Sequence, residues 1–400
     1  YQQIADNVLP LIPERYAMRR PIDDELNPPE ITGKIRVLIW GNTFPRVGGV
    51  ERFVDNLAHG LIERGHAVAV LSDGKIIDTL TDRPFDVETV PMAEPILTAN
   101  AVQLMSSVRK VRQVIEAFKP DVIHYNSSAL EMPIFVMSAL RSGVPIVTTL
   151  HFDLNNLILV QGGGTFDKII KASRRVTSVS RYVHSLVSGV QSLRYLDVEF
   201  IENAMPANRP YQPPNDAKLI LCLGRLVHEK GFDQMISAMP KILEMHPEAR
   251  LFIGGLGPEK AALQSQLKAA NLFHYVTLLG WIDPDDVHAE MQNANIVAFP
   301  SRWEEPFGLV ALEAAIAGRP CVGYNVGGIT DSIDPGVTGE LAKPGDISDL
   351  ALKISVLLSN PKCAEKQGIN AYKKYGNGVR FEKMLDQYET LFRTIKTEIT

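Results

Sequence analysis

The sequence is marked first by what it does without. No apolar run approaches the ~18–20 residues that cross a bilayer, and nothing at the front reads as a secretory signal. Cysteine is scarce: Cys222, Cys321 and Cys363 lie far apart, two of them inside strand-like runs. That spacing makes neither a disulfide framework nor a zinc site, and it suits a reducing cytoplasm. A net charge of −5 on 400 residues gives no strong electrostatic pull on nucleic acid. The Gly-x-Gly-x-x-Gly dinucleotide fingerprint and the Walker lysine are missing, as are internal repeats and low-complexity tracts.

What is present is a globular composition, 45% hydrophobic and 22% charged, in a chain too long for one ordinary core. Residues 1–33 are rich in proline, hold little periodicity beyond a short helical pattern at Ile4 to Leu11, and read as an N-terminal extension. Their cluster of Arg15, Arg19 and Arg20 reads as a solvated face. From Lys34 onward, β-branched strand-like runs alternate with helical periods, which predicts an α/β fold with parallel sheets. The Pro-rich stretch Ala204 to Pro214 is the expected linker. It divides a first Rossmann-like domain, 34–214, from a second, 215–379, with a terminal helix in 380–400.

The central stretch is Ala294 to Asn325: strand, loop, helix, strand. Leu309 to Ala317 have helical composition and hardly a polar side, so that helix is expected to be buried. Glu313 sits in its middle, and a buried carboxylate needs a partner. Glu305 precedes the helix, with seven residues between the two acids. A helix N-terminus offers free N–H groups and partial positive charge to a phosphate. In an open α/β sheet, ligands bind outside the carboxyl ends of strands, where this loop falls. A nucleotide sugar fits: diphosphate on the helix N-terminus, one acid on sugar hydroxyls, the other on the ribose. The alternative from these residues alone is that Glu305 caps the helix and Glu313 pairs with a hidden Arg or Lys.

Other stretches place glycine and charge at strand–helix junctions. Gly48-Gly49 follows the strand Ile35 to Trp40 and opens the helix Val50 to Arg64. His151 follows the strand PIVTTL at its carboxyl end, with Asp153 two residues on, and Asn155 to Gly164 reads as a loop or lid. Arg225 and Lys230, flanked by Gly224 and Gly231, lie in a loop before a helix expected from Phe232, a setting that suits a departing diphosphate. Gly254 to Gly257 form a further glycine loop with room for a nucleotide. Asp283-Pro284-Asp285 resembles a metal-binding Asp-x-Asp, but Pro284 suits the first turn of a helix and Asp283 its cap. Thr98 to Phe118 reads as an amphipathic helix, with Val102, Met105, Val108, Val111, Val114 and Ile115 apolar and Arg109, Lys110, Arg112 and Lys119 polar. Core plus solvent explains that pattern; it is also where a weak peripheral contact with a membrane or an anionic acceptor would form.

Glu305 and Glu313 with Pro-Phe-Gly-Leu after the first, taken in order with Gly48-Gly49, His151, Gly224-Arg225 with Lys230-Gly231, and Gly254 to Pro258, resemble the signature of family 4 retaining glycosyltransferases of the GT-B fold. The resemblance runs from about Lys34 to Ile395. It implies two Rossmann-like domains with a donor site in the cleft. It also implies transfer of a hexosyl group from a UDP- or GDP-sugar to a sugar, lipid-linked or small-molecule hydroxyl, with retention and with no metal or other cofactor. By this resemblance Arg225 and Lys230 neutralise the leaving diphosphate, aided by the amides of Phe307, Gly308, Leu309 and Val310. Glu305 holds the sugar and Glu313 the ribose. His151, Asp153, Gly48 and Gly49 complete the sugar pocket, Gly224, Gly254 and Gly257 make space for the nucleotide, and the terminal helix crosses back onto the first domain. A nucleotide-sugar epimerase on the same plan and a non-catalytic nucleotide- or glycan-binding module are the rival readings.

Overall fold

The computed structural model describes residues 33–41, 48–73, 83–126, 131–151, 164–189, 196–207 and 209–398. Two sheets carry the architecture, and every strand pair in them is parallel. The first holds β1 (Arg36–Trp40), β2 (Ala67–Ser72), β3 (Asp86–Thr89), β4 (Val122–Tyr125), β5 (Ile146–Leu150), β6 (Arg175–Ser178) and β7 (Val198–Phe200), in the order 3-2-1-4-5-6-7. The second holds β8 (Leu219–Leu223), β9 (Arg250–Gly254), β10 (Val276–Gly280), β11 (Ile296–Phe299), β12 (Cys321–Tyr324) and β13 (Gly339–Ala342), in the order 10-9-8-11-12-13. Each order reverses once, between β1 and β4 and between β8 and β11. Those reversals are the crevices where open α/β sheets bind ligands.

The strands are apolar on both faces because helices cover both. In β1, Leu38 and Trp40 enter one core cluster while Val37 and Ile39 enter another on the opposite face. In β8, Ile220 and Cys222 likewise part from Leu221 and Leu223. The period of two distributes one hydrophobic run between two layers.

The helices in chain order are α1 (Gly49–Glu63), α2 (Ala93–Leu97), α3 (Ala101–Phe118), α4 (Met132–Met137), α5 (Gly164–Ala172), α6 (Arg181–Gly189), α7 (Phe232–Met245), α8 (Lys260–Ala269), α9 (Val287–Asn293), α10 (Leu309–Ile316), α11 (Ile329–Ser332), α12 (Ile347–Ser359), α13 (Pro361–Tyr375) and α14 (Val379–Thr397). Ser180 caps α6, accepting from the Val183 N–H at 3.0 Å. The expected amphipathic helix departs from its pattern. Val108, Val111, Val114 and Ile115 of α3 are buried, but Val102 and Met105 are 82% and 53% exposed. The core takes only the later turns of that helix. The helical pattern at Ile4 to Leu11 and most of the proposed lid lie outside the described residues.

The helix α10 is apolar all round because it is sandwiched. Ala311, Ala314 and the following Ala317 pack on their own sheet. Leu312, Ala315 and Ile316 join Phe307 in a cluster that continues into the core of the first sheet. Between β7 and β8, residues 201–207 and 209–218 have no regular structure. The buried Arg319 guanidinium fastens this segment: it donates to the carbonyls of Gln212 at 2.8 Å, Gly318 at 3.1 Å and Ala294 at 2.7 Å. After α13 the chain returns, and α14 lays Phe381, Met384, Leu385, Tyr388, Leu391, Phe392 and Ile395 on Ile35, Val37 and Ile39 of the first sheet and Phe53, Leu57 and Leu61 of α1. His66, just before β2, is buried there too, with Nε2 3.1 Å from Glu389 of α14.

Candidate active site

At the reversal of the second sheet, the loops after β8 and β11 meet. The loop after β8 runs through Gly224 and Arg225 to a 3-10 turn, His228–Lys230. Gly231 then starts α7 at φ +69°, and a Cβ there would fall 1.9 Å from the Pro300 carbonyl oxygen. Only glycine lets the two loops touch in this way. The contact brings Lys230 to Glu305: their side chains form an ion pair, 18% and 13% exposed. Ser301 Oγ donates to the same Glu305 oxygen at 3.0 Å, and Lys230 Nζ lies 5.2 Å from the centre of the Phe299 ring.

A second pair braces the same two loops. Arg302 Nη1 and Nη2 reach Asp233 Oδ1 and Oδ2 at 2.7 and 2.5 Å, a bidentate pair, and Nη1 also donates to the His228 carbonyl at 2.8 Å. Burial pushes the Asp233 carboxyl up, but the hydrogen bonds and charge of Arg302 outweigh it and hold it below its ordinary value. Neither Arg302 nor Asp233 stands out in the sequence. Arg225 stays exposed at the mouth of the loop.

Glu305 does not cap α10. Gly308 does, at φ +85° and with no side-chain cap, so the helix start is left to its own N–H groups. Phe307 is buried and its carbonyl accepts from Ser332 Oγ at 2.9 Å, which makes its side chain part of the packing.

The first sheet supplies the facing wall. Gly48 starts α1 with no side-chain cap. A Cβ on Gly49 would lie 3.2 Å from Leu309 Cδ1, so the starts of α1 and α10 face each other. One turn into α1, Arg52 forms an ion pair with Glu313, the two side chains 24% and 13% exposed. The hidden basic partner of Glu313 is thus real, and it comes from the other domain.

His151 sits at the end of β5, 9% exposed, with Nε2 2.9 Å from Asn126 Oδ1 at the end of β4. The Phe53 ring of α1 meets it edge-on at 4.7 Å. Burial lowers the imidazole from its ordinary value to about 3, so the ring is neutral. Asp153 lies outside the described residues.

Around Gly254 and Gly257 the space that a side chain would need is taken by protein: a Cβ on Gly254 would strike Ile282 and Leu223, and one on Gly257 the Leu226 backbone, so the second glycine lets the loop after β9 pack on the loop after β8. One expectation is corrected: Asp283 does not cap a helix; its Oδ1 accepts from the Asp285 N–H at 3.1 Å in a turn, and α9 begins only at Val287. Among the described residues no group of three His, Cys, Asp or Glu side chains could hold a metal ion, and no helix is long and apolar enough to cross a membrane.

Two family models divide the chain between them: Glycosyltransferase Family 4 matches residues 47–209, and Glycosyl transferases group 1 matches residues 206–374. The chain belongs to the family 4 glycosyltransferases of the GT-B fold. Among its relatives, a glycogen synthase of Mycobacterium tuberculosis is 26% identical over 83% of this chain and 88% of its own. A phosphatidyl-myo-inositol mannosyltransferase of Mycobacterium leprae is 28% identical over 88% and 96%. The fold of this glycosyltransferase is shared by Anabaena Alr3699/HepE in complex with UDP and glucose, at a TM-score of 0.73, 20% identity and coverage of 89% and 99%. It is shared too by a sucrose-phosphate synthase from Thermosynechococcus elongatus, at 0.76, 20%, and 91% and 100%.

Proposed function

We propose that this glycosyltransferase moves a hexosyl group from a nucleotide diphosphate sugar to an acceptor hydroxyl with retention at the anomeric carbon. The observation that carries the reading is the meeting of Lys230 and Glu305 at the reversal of the second sheet, beside the start of α10, which no side chain caps. A cation and a helix N-terminus there suit a diphosphate, and the adjacent carboxylate suits the hydroxyls of the sugar it carries. A related fold crystallised with UDP-glucose supports a uridine donor among the candidates.

Arg225 and Lys230 would neutralise the diphosphate as it leaves, with the amides from Phe307 to Val310. The positive charge for the step comes from these groups, so the reading assigns it no metal ion. Glu313 would share its carboxylate between Arg52 and the ribose. In a front-face route the bond from C1 to the diphosphate oxygen breaks while the acceptor oxygen bonds C1 on the same face. The acceptor proton passes to the departing phosphate. The cleft side of the first domain, with Gly48, Gly49 and the neutral His151, receives the acceptor and the sugar. The reading puts the reaction in the cytoplasm, where the free thiols of Cys222, Cys321 and Cys363 would persist.

The test is titration of the protein with UDP and GDP, followed by transfer assays with the sugar of the nucleotide that binds. Binding of one nucleotide and an α-linked product from an α-linked donor are expected. Inversion, or nucleotide release that needs no acceptor, would overturn the reading in favour of a different transferase or an epimerase.

A further inference from the structure

Asn126 has no place in the family signature, yet it sits at the reversal of the first sheet, where β4 ends beside β1. Its N–H donates to the Trp40 carbonyl at 3.0 Å, and its side chain is 2% exposed. Nδ2 donates to the His124 carbonyl at 3.3 Å, which leaves Oδ1 as the atom 2.9 Å from His151 Nε2. An amide oxygen only accepts, so Nε2 must carry the hydrogen and Nδ1 is left as the acceptor of the ring. Phe53 walls the ring from α1.

We propose that Asn126 is a positioning residue: it fixes the His151 ring in the Nε2–H tautomer, so that the histidine meets the sugar with the Nδ1 lone pair. The inference rests on the assignment of His151 to the sugar pocket made above. The physical reason is the usual one for a buried imidazole, where the bond made by one nitrogen decides what the other can do. His124, from β4, is buried beside it and held neutral by burial, with a smaller push from His151. Burial is what lowers His151 itself.

The substitution Asn126→Asp places a carboxylate where the amide oxygen was and favours the imidazolium. Because burial holds the native ring so low and a carboxylate neighbour raises it by only ~1–3 units, transfer by N126D is expected to be low at about pH 5 and to recover as the pH rises toward about 8, while the native protein shows no such rise. Asn126→Ala should lower kcat about tenfold at every pH with donor KM little changed. Nitrogen-15 NMR of histidine-labelled protein reads the ring directly, and should show Nε2–H in the native protein at every pH and a charged ring in N126D at about pH 5. A native Nδ1–H signal overturns the proposal. So does a loss in N126D that is independent of pH and equal to that in N126A, which is the mark of a merely structural role. His151→Ala is the control for the site itself: if it leaves transfer intact, the sugar-pocket assignment falls, while the NMR result still decides what Asn126 does to the ring.

Discussion

The two walls of the cleft rest on the same strand order but hold their chemistry in opposite ways. The wall on the second sheet is charged and tied loop to loop: Lys230 with Glu305, Arg302 with Asp233, Gly231 against Pro300. The wall on the first sheet is neutral and enclosed: His151, Asn126 and Phe53, with His124 and Tyr388 packed behind Phe53. A charged wall can respond to an incoming anion by exchanging partners. A buried neutral wall can only present a fixed donor and acceptor pattern. That difference suits one wall to the diphosphate and the other to sugar hydroxyls.

The comparison breaks first if the charges do nothing. Lys230→Ala and Glu305→Ala are each expected to lower turnover by ~10²-fold or more, the usual loss for a group that serves the transition state. Unchanged initial rates of nucleotide release in both variants would remove the charged wall from the mechanism. Next comes the loop contact beneath it. Gly231→Ala forces a Cβ onto the Pro300 carbonyl at a positive φ, and a destabilisation of about 2 kcal/mol is expected. Denaturant midpoints check it, and a native midpoint would mean that the loops part freely.

The neutral wall has a pH signature. Between pH 6.5 and about 3 the unfolded chain takes up a proton on His151 that the folded chain refuses. Stability should therefore fall as pH drops through that window, by at most about 1.4 kcal/mol per unit for the group. His124 is shifted in the same direction and adds to it. Unfolding free energies at pH 7, 6 and 5 read the slope, and His151→Gln should flatten it. The smallest effect belongs to the contact that joins the walls. Arg52→Gln removes the charge of the ion pair with Glu313 but leaves an amide that can still donate to the carboxylate, and a stability loss of about 1 kcal/mol is expected. Nucleotide affinity should rise a few-fold as the carboxylate is released to the ribose, which calorimetry would detect. Weaker binding instead would make Arg52 a ligand of the phosphates.

Much of this was legible in the residues. The strands announce themselves because both faces are buried, and Lys230, Glu305 and Glu313 are charged groups beside or within runs that otherwise read as glycine turn or buried helix. The position of His151 after a buried strand was readable for the same reason. What could not be read was pairing at a distance. Arg52 looks like any helical arginine until α1 is set against α10, and Asp233 and Arg302 are ordinary surface types until two loops meet. Glycine is ambiguous for a different cause. Gly254 and Gly257 declare close approach, but the sequence does not say whether a ligand or another stretch of backbone does the approaching. Val102 and Met105 follow a helical period correctly, yet periodicity cannot say where along a helix the core stops.

The crossing of α14 bears on the order in which the protein comes into being. A ribosome delivers the first sheet before the second domain and this covering layer only after the whole second domain has emerged. Until then Ile35, Val37 and Ile39 have no Tyr388 or Phe392 above them, and the nascent first half must wait with an oily face unclosed. Birth from the ribosome thus makes the earlier half of the enzyme the later one to mature.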